Sequence, residues 1–249
     1  MRFCAPPPPL PVGPHASGEL ALYTPRKWTD RMQAHVRFMD GDWGTWRRVA
    51  LSITSPGGWN RACGFQFIFD QAKDAEIRIT FETGASWSYE GQYCLGVPPP
   101  DPTMQLGWLT EKTPNAEVQR VSLHEFGHAL GFIHEHASPE AKIPWDREAV
   151  YAYYLASHGW NRATVDAQVL QVPDPAVIEA GNYDKQSIMH YFIPADFVLD
   201  HMERGGYGEL TPMDIMWAQK WYGPPPPLAV TPPPTQNSWK IYFPFGSRS

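Results

Sequence analysis

The residues able to do chemistry stand together in His124-Glu125-Phe126-Gly127-His128-Ala129-Leu130-Gly131-Phe132-Ile133-His134. On an α-helix, residues four apart are rotated by only about 40° and rise about 6 Å. His124 and His128 therefore point the same way and can reach one ion, with Glu125 beside them. A helix continued to His134 would carry it about 15 Å from His124. The chain must stop and turn back, and Gly131 makes that turn cheap because glycine tolerates positive φ.

Three neutral imidazoles suit one Zn2+ ion and leave it an open position for water. Such an ion lowers the water's pKa to about 7 and polarises a carbonyl oxygen. Glu125 is then the candidate general base, taking a proton from the attacking water and returning it to the leaving amine. The chemistry this pattern points to is hydrolysis of an amide. Five specified positions coincide by chance at on the order of one in ten million start points, judged from average residue usage. A structural zinc is disfavoured, since such sites are four-coordinate and cysteine-rich. His136 is expected beside the site or at the surface, because a fourth protein ligand would fill the water's position.

The elements that must position these groups follow from periodicity. Alternation predicts strands over residues 35–39, 65–69, 76–81 and 103–108. Helices are expected over 45–53, 116–130, 146–156, 162–170 and 211–221. The 116–130 helix carries His124 and His128, with Gly131 as its stop signal. The 211–221 helix has Thr211 as N-cap, Pro212 in its first turn and Gly223 just beyond its end. Strands come first and helices later, so the fold class is α+β. Trp145, Trp160, Trp217 and Trp221 fall at helical positions and read as core anchors.

Composition bounds the rest. Hydrophobic residues make up 43% and charged residues 18%, the balance of a folded domain rather than a disordered chain. A net charge of −6, without a Lys/Arg run, argues against a nucleic-acid partner. No apolar stretch approaches the roughly 18–20 residues of a membrane span. The N-terminal sequence has no apolar core of a signal peptide. Residues 1–27 form a Pro-rich leader and residues 224–249 a Pro-rich tail, whose apolar 239–245 segment is expected to pack back onto the domain.

The histidine motif resembles that of the metzincin zinc metallopeptidases, in which a methionine turn lies below the metal. The stretch Tyr183-Asp184-Lys185-Gln186-Ser187-Ile188-Met189-His190-Tyr191 supplies a counterpart, and its Ser-Ile-Met-His-Tyr core is similar to that of the astacin branch. Glu135 directly follows the third histidine, as in astacins. Ser86-Trp87-Ser88-Tyr89-Glu90-Gly91 is similar to the astacin Cys-Trp-Ser-Tyr-x-Gly stretch, and residues 210–222 resemble the family's closing helix.

The resemblance covers roughly residues 28–223. It implies a metzincin-like two-lobed catalytic domain there. An upper lobe of about 28–131 would hold a twisted mixed sheet and the zinc helix. A smaller irregular lower lobe of about 132–223 would include the C-terminal helix. Met189 would pack under the imidazoles, and Tyr191 would be a movable extra zinc ligand that swings away and stabilises the oxyanion. An extracellular location is implied in the same way. The substrate would be a protein or peptide segment lying extended in the cleft and pairing with an edge strand, expected at residues 76–82. The pocket next to the scissile bond is expected from residues 192–197, with Asp196 facing solvent.

Ser86 stands where astacins have cysteine, so Cys63 lacks the family's usual partner and Cys94 is the candidate replacement. Cys4 beside Arg2 suggests a thiolate that blocks zinc in a latent form, but the surrounding prolines form no switch motif, and a free thiol in a loose leader is the preferred reading. The expected activity is that of a zinc-dependent metalloendopeptidase. The alternatives are a catalytically silent peptide-binding module on the same fold, which the intact Glu125 and ligand set disfavour, and a zinc exopeptidase or amidase. Oligomeric state is not encoded in any feature of the sequence.

Overall fold

Alternation builds the sheet. In β1 (Gln33–Phe38), Ala34, Val36 and Phe38 are buried while the residues between them are partly open. β2 (Gln66–Phe69) and β3 (Ile77–Thr80) flank it, both parallel to it. β5 (Met104–Leu106) continues parallel to β3, and β4 (Ser86–Ser88) closes the sheet antiparallel to β5. The order is β2-β1-β3-β5-β4, a mixed five-stranded sheet in an α+β fold. This computed structural model describes residues 4–5, 7–8, 26–172 and 182–227; the 239–245 segment expected to pack back lies outside them.

The substrate edge expected at residues 76–82 is corrected by this order. β3 has neighbours on both sides, and the free edge on the β5 side belongs to β4. At three residues β4 is too short to give a periodic signal; its place is fixed by antiparallel pairing of Ser86–Ser88 with Leu106–Met104.

The helices run close to their expected bounds. α1 (Trp43–Thr54) is capped by Asp42, whose carboxylate accepts from Thr45 N–H at 2.8 Å. A short α2 (Trp59–Ala62) follows, which the sequence reading lacked. α3 (Asn115–Leu130) is the histidine helix. Its Phe126 meets Phe67 edge-on at 4.8 Å between ring centroids, which packs the face away from the histidines onto the sheet. Trp59 Nε1–H donates to Leu123 O and Trp28 Nε1–H to Ala129 O, both at 2.8 Å, so two buried tryptophans clamp the helix.

Beyond α3 lie α4 (Arg147–His158) and α5 (Arg162–Val165), the latter running into a π-helical turn at Asp166–Leu170. They enclose a second apolar cluster of Val150, Tyr154, Val165, Val169, Ile193 and Phe197, joined by Trp145 and Trp160. α6 (Pro212–Tyr222) has the expected Thr211 capping box, and its Ala218 and Tyr222 return to the main core. No helix among the described residues is long and apolar enough to cross a membrane.

Candidate metal centre

Gly131 ends α3 at φ 103°, with its N–H turned back onto the last carbonyls of the helix. That left-handed residue reverses the chain and brings His134 to the other two imidazoles. His134 Nε2 lies 3.2 Å from both His124 Nε2 and His128 Nε2. A tetrahedral zinc with bonds of about 2.0–2.1 Å needs nitrogens about 3.3–3.4 Å apart, so the spacing fits. His124 Nδ1 lies 2.8 Å from Ile188 O, and His128 Nδ1 lies 2.8 Å from Phe132 O. Those carbonyls can only accept, so each Nδ1 carries the proton and each Nε2 lone pair faces its neighbours. Lone pairs held this close repel one another unless a cation lies between them, which is what this donor set suits.

Electrostatics agree. Burial, then the His128 ring, holds His124 well below the usual imidazole range. Burial, then His128 and His124, does the same to His134, and burial brings His128 down to about 4. All three are therefore neutral at pH 7, the form that binds metal. Glu125 is 1% exposed, and burial raises its carboxyl to about 8, with Arg120 opposing in part. A buried carboxyl titrating near neutrality beside metal-binding groups is suited to moving protons.

The segment carrying Met189 is tied down from two sides. Asp214, in the first turn of α6, accepts from Ser187 Oγ at 2.6 Å and from Ile188 N–H at 3.0 Å. Glu135 accepts from Asp184 N–H at 2.8 Å, while its own N–H donates to Met189 O at 3.0 Å. Met189 reaches the α3 backbone at Gly127, where an added Cβ would collide with its Sδ. The Tyr191 ring stands edge-on to His134 at 5.3 Å, and its hydroxyl is 3.0 Å from that of Tyr154. All seven residues singled out in the sequence thus gather here: His124, Glu125, His128, Gly131, His134, Met189 and Tyr191. Asp214 and Tyr154 were missed, since neither belongs to a motif.

Cys4 corrects the sequence reading outright. Its Sγ lies 3.7 Å from His128 Nε2 and 3.6 Å from Glu125 Oε2. With the three imidazoles it completes a set of ligand atoms lying within 4.8 Å of one another. The leader is held there by the sheet: Cys4 bridges Ser86 in parallel, and Ala5 N–H donates to Ser86 O at 2.8 Å. Tyr89 Oη donates to Pro8 O. The reading set aside in the sequence, a thiol at the zinc site, is thus the one the geometry favours; no switch motif announced it because the placement depends on β4 being a free edge.

The structure also bears on three other expectations. His136 is buried, its ring stacked 5.4 Å from His134 and its Nε2 3.2 Å from Val169 O, so of its two expected places it takes the one beside the site. Cys63 and Cys94 are both buried free thiols and form no bridge; burial pushes them up to about 11 and about 12. The cavity beside His128 and His134 is lined by His158, Trp160, Gln168 and Val169, a second one beside His124 and Glu125 is lined in part by Phe192 from the expected 192–197 stretch, and Asp196 is exposed as expected.

No family model matches the chain, and no curated protein does. Solved structures do match. A structure of myroilysin is 32% identical, covers 83% of this chain and 98% of its own, and superposes with a TM-score of 0.75. The chain belongs to the astacin family of zinc metalloproteases. A second myroilysin structure is 29% identical with a TM-score of 0.63, over 86% of this chain and 97% of its own. The hatching enzyme HCE-1 of the medaka fish Oryzias latipes, a zinc protease, shares 13% identity and a TM-score of 0.54 over 81% of this chain and 96% of its own. At that identity it speaks to the astacin fold alone.

Proposed function

We propose that this astacin is a metalloendopeptidase that hydrolyses internal bonds of extended protein segments, using one zinc held by His124, His128 and His134. The observation that carries this reading is the meeting of three Nε2 atoms beside Glu125, in a cleft where an extended peptide already lies against β4. When bound, zinc supplies Lewis-acid polarisation of the scissile carbonyl and acidifies the attacking water. Glu125 accepts the proton of that water as it attacks and hands it to the departing amine. Tyr191 donates its hydroxyl to the carbonyl oxygen as negative charge builds there.

Edge strand β4 orients the substrate, in the way Ser86 O accepts from Ala5 N–H in the leader. The pocket lined by His158, Trp160, Gln168 and Val169 has one carboxylate in its wall, Glu90, which is already paired with Arg26, and this favours an uncharged side chain next to the cleaved bond. Met189 supports the imidazoles from below, and Gly131 makes the reversal that delivers His134. Cys4 among the ligand atoms and residues 4–5 against β4 support a latent form, in which this stretch stands in the place of substrate and must leave before cleavage begins.

The experiment is cleavage of an unstructured protein such as casein by the full chain and by a leader-trimmed chain, with zinc analysis and a Glu125→Ala control. One zinc per chain is expected, with internal cleavage by the trimmed form and a control that retains zinc but not activity. Zinc binding without cleavage by either form would replace this reading with that of a peptide-binding module.

A further inference from the structure

Tyr191 and Tyr154 come from different parts of the molecule. Tyr191 ends the segment that follows Met189, and its ring edges onto His134. Tyr154 belongs to α4 and is 1% exposed within the second apolar cluster. The Tyr154 ring is stacked on Trp160 at 5.3 Å and 10°, and it meets Tyr153 edge-on at 5.3 Å. Packing on both faces fixes the position of its hydroxyl. The two hydroxyls are 3.0 Å apart, a normal O–H···O bond between neutral phenols.

We propose that Tyr154 is a positioning residue for this reaction: its hydroxyl is the fixed post that holds Tyr191 Oη off the metal. The proposal rests on the role given to Tyr191 above. The physical argument is competition for one oxygen. The bond between the two hydroxyls exists only while Tyr191 Oη stands beside the fixed Tyr154 ring, so carrying that oxygen onto a metal ion costs the bond, whichever hydroxyl donates it. With Tyr154 as the donor, the bond also polarises the Tyr191 O–H and strengthens it as a donor toward a developing oxyanion. Phenylalanine at position 154 would keep the aromatic packing and lose only the post. The Tyr154 side chain thus couples the helix that walls the substrate pocket, through His158 and Trp160, to the group that meets the reacting carbonyl.

The test uses full-length Cys4→Ala protein, so that no thiol competes for the site, loaded with Cu(II) in place of zinc. A phenolate bound to Cu(II) gives a visible charge-transfer band, which reports the fraction of Tyr191 on the metal. Adding Tyr154→Phe is expected to raise the ratio of bound to released Tyr191 by about fivefold, the equivalent of one neutral hydrogen bond. The zinc form of the same variant is expected to lose kcat several-fold at unchanged KM, because Tyr191 acts on the transition state. An unchanged band in Tyr154→Phe overturns the proposal. If that variant does not fold, Trp160→Leu, which frees the Tyr154 ring, is read by the same band in the absence of substrate, and no change there also overturns it. Tyr191→Phe separates the two levels of the argument: a band that survives in it would remove the role of Tyr191 itself.

Discussion

Replacing Gly127 with alanine probes how Met189 supports the metal centre. A Cβ at Gly127 would fall on Met189 Sδ, 3.2 Å from Met189 Cε and 3.3 Å from Trp59 Cζ2. Trp59 is fully buried and hydrogen-bonded to Leu123 O, so it cannot give way, and Met189 must. Overpacking of this kind costs about 1–3 kcal/mol. Alanine in place of a mid-helix glycine returns about 1 kcal/mol. Global stability should therefore fall by no more than about 2 kcal/mol. The effect on metal binding should be larger, because Met189 adjoins Ile188, whose carbonyl orients His124. Disturbing the partner of a ligand histidine weakens affinity by about 10–100-fold. Chelator competition measures the zinc Kd, and thermal unfolding of the metal-free protein measures the packing cost. Met189→Ala alone should cost about 2–5 kcal/mol for its cavity. In the double variant the new methyl meets no sulfur, so the two costs should add to less than their sum. Additive costs, or wild-type zinc affinity in Gly127→Ala, would refute the contact as the reason for glycine here.

Other outcomes follow from the same geometry. Cys4→Ala in the full chain should give proteolysis without trimming, measured with a quenched peptide, while the zinc content stays at one per chain; continued latency would mean that the leader blocks by its backbone alone. Glu125→Gln should lower kcat by about 10²–10⁴-fold with zinc retained, the usual contribution of a general base. In the metal-free protein, five buried histidines (124, 128, 134, 136 and 190) have pKa values lowered chiefly by burial, while burial raises Glu125 to about 8, Glu135 to about 7 and Asp214 above its usual value. Below pH 6.5 the unfolded histidines bind protons that the folded ones refuse, so stability falls with pH despite the opposing carboxyls. Above it, the folded carboxyls must give up protons that the unfolded ones have already lost, so stability falls as pH rises toward 8. Denaturant unfolding across pH 4.5–8 should therefore peak near pH 6.5, falling on the acid side by about 4 kcal/mol per pH unit at most, for a net three protons when five histidines are opposed by two glutamates. Cys63 and Cys94 should both alkylate without reductant once the chain is unfolded; protection of that pair would restore the bridge.

The sequence by itself determined what is local. Four-residue spacing put His124 and His128 on one helix face, and the glycine at 131 announced the reversal that brings His134 back, because both depend only on backbone geometry over a few residues. Alternation located β1, β2, β3 and β5, and the cap residues Thr211 and Gly223 bounded the last helix for the same reason. Tertiary structure decided whatever depends on chain segments far apart. Which strand is the edge followed from the pairing order, and β4 was too short to announce itself. Asp214 is an ordinary first-turn acid until α6 docks and turns it onto Ser187 and Ile188, 26 or more residues upstream. Cys4 is a lone thiol among prolines until β4 offers its open backbone and draws it 121 residues across the chain to Glu125. Such contacts are made by surfaces that exist only once the core has assembled, so no spacing in the sequence records them.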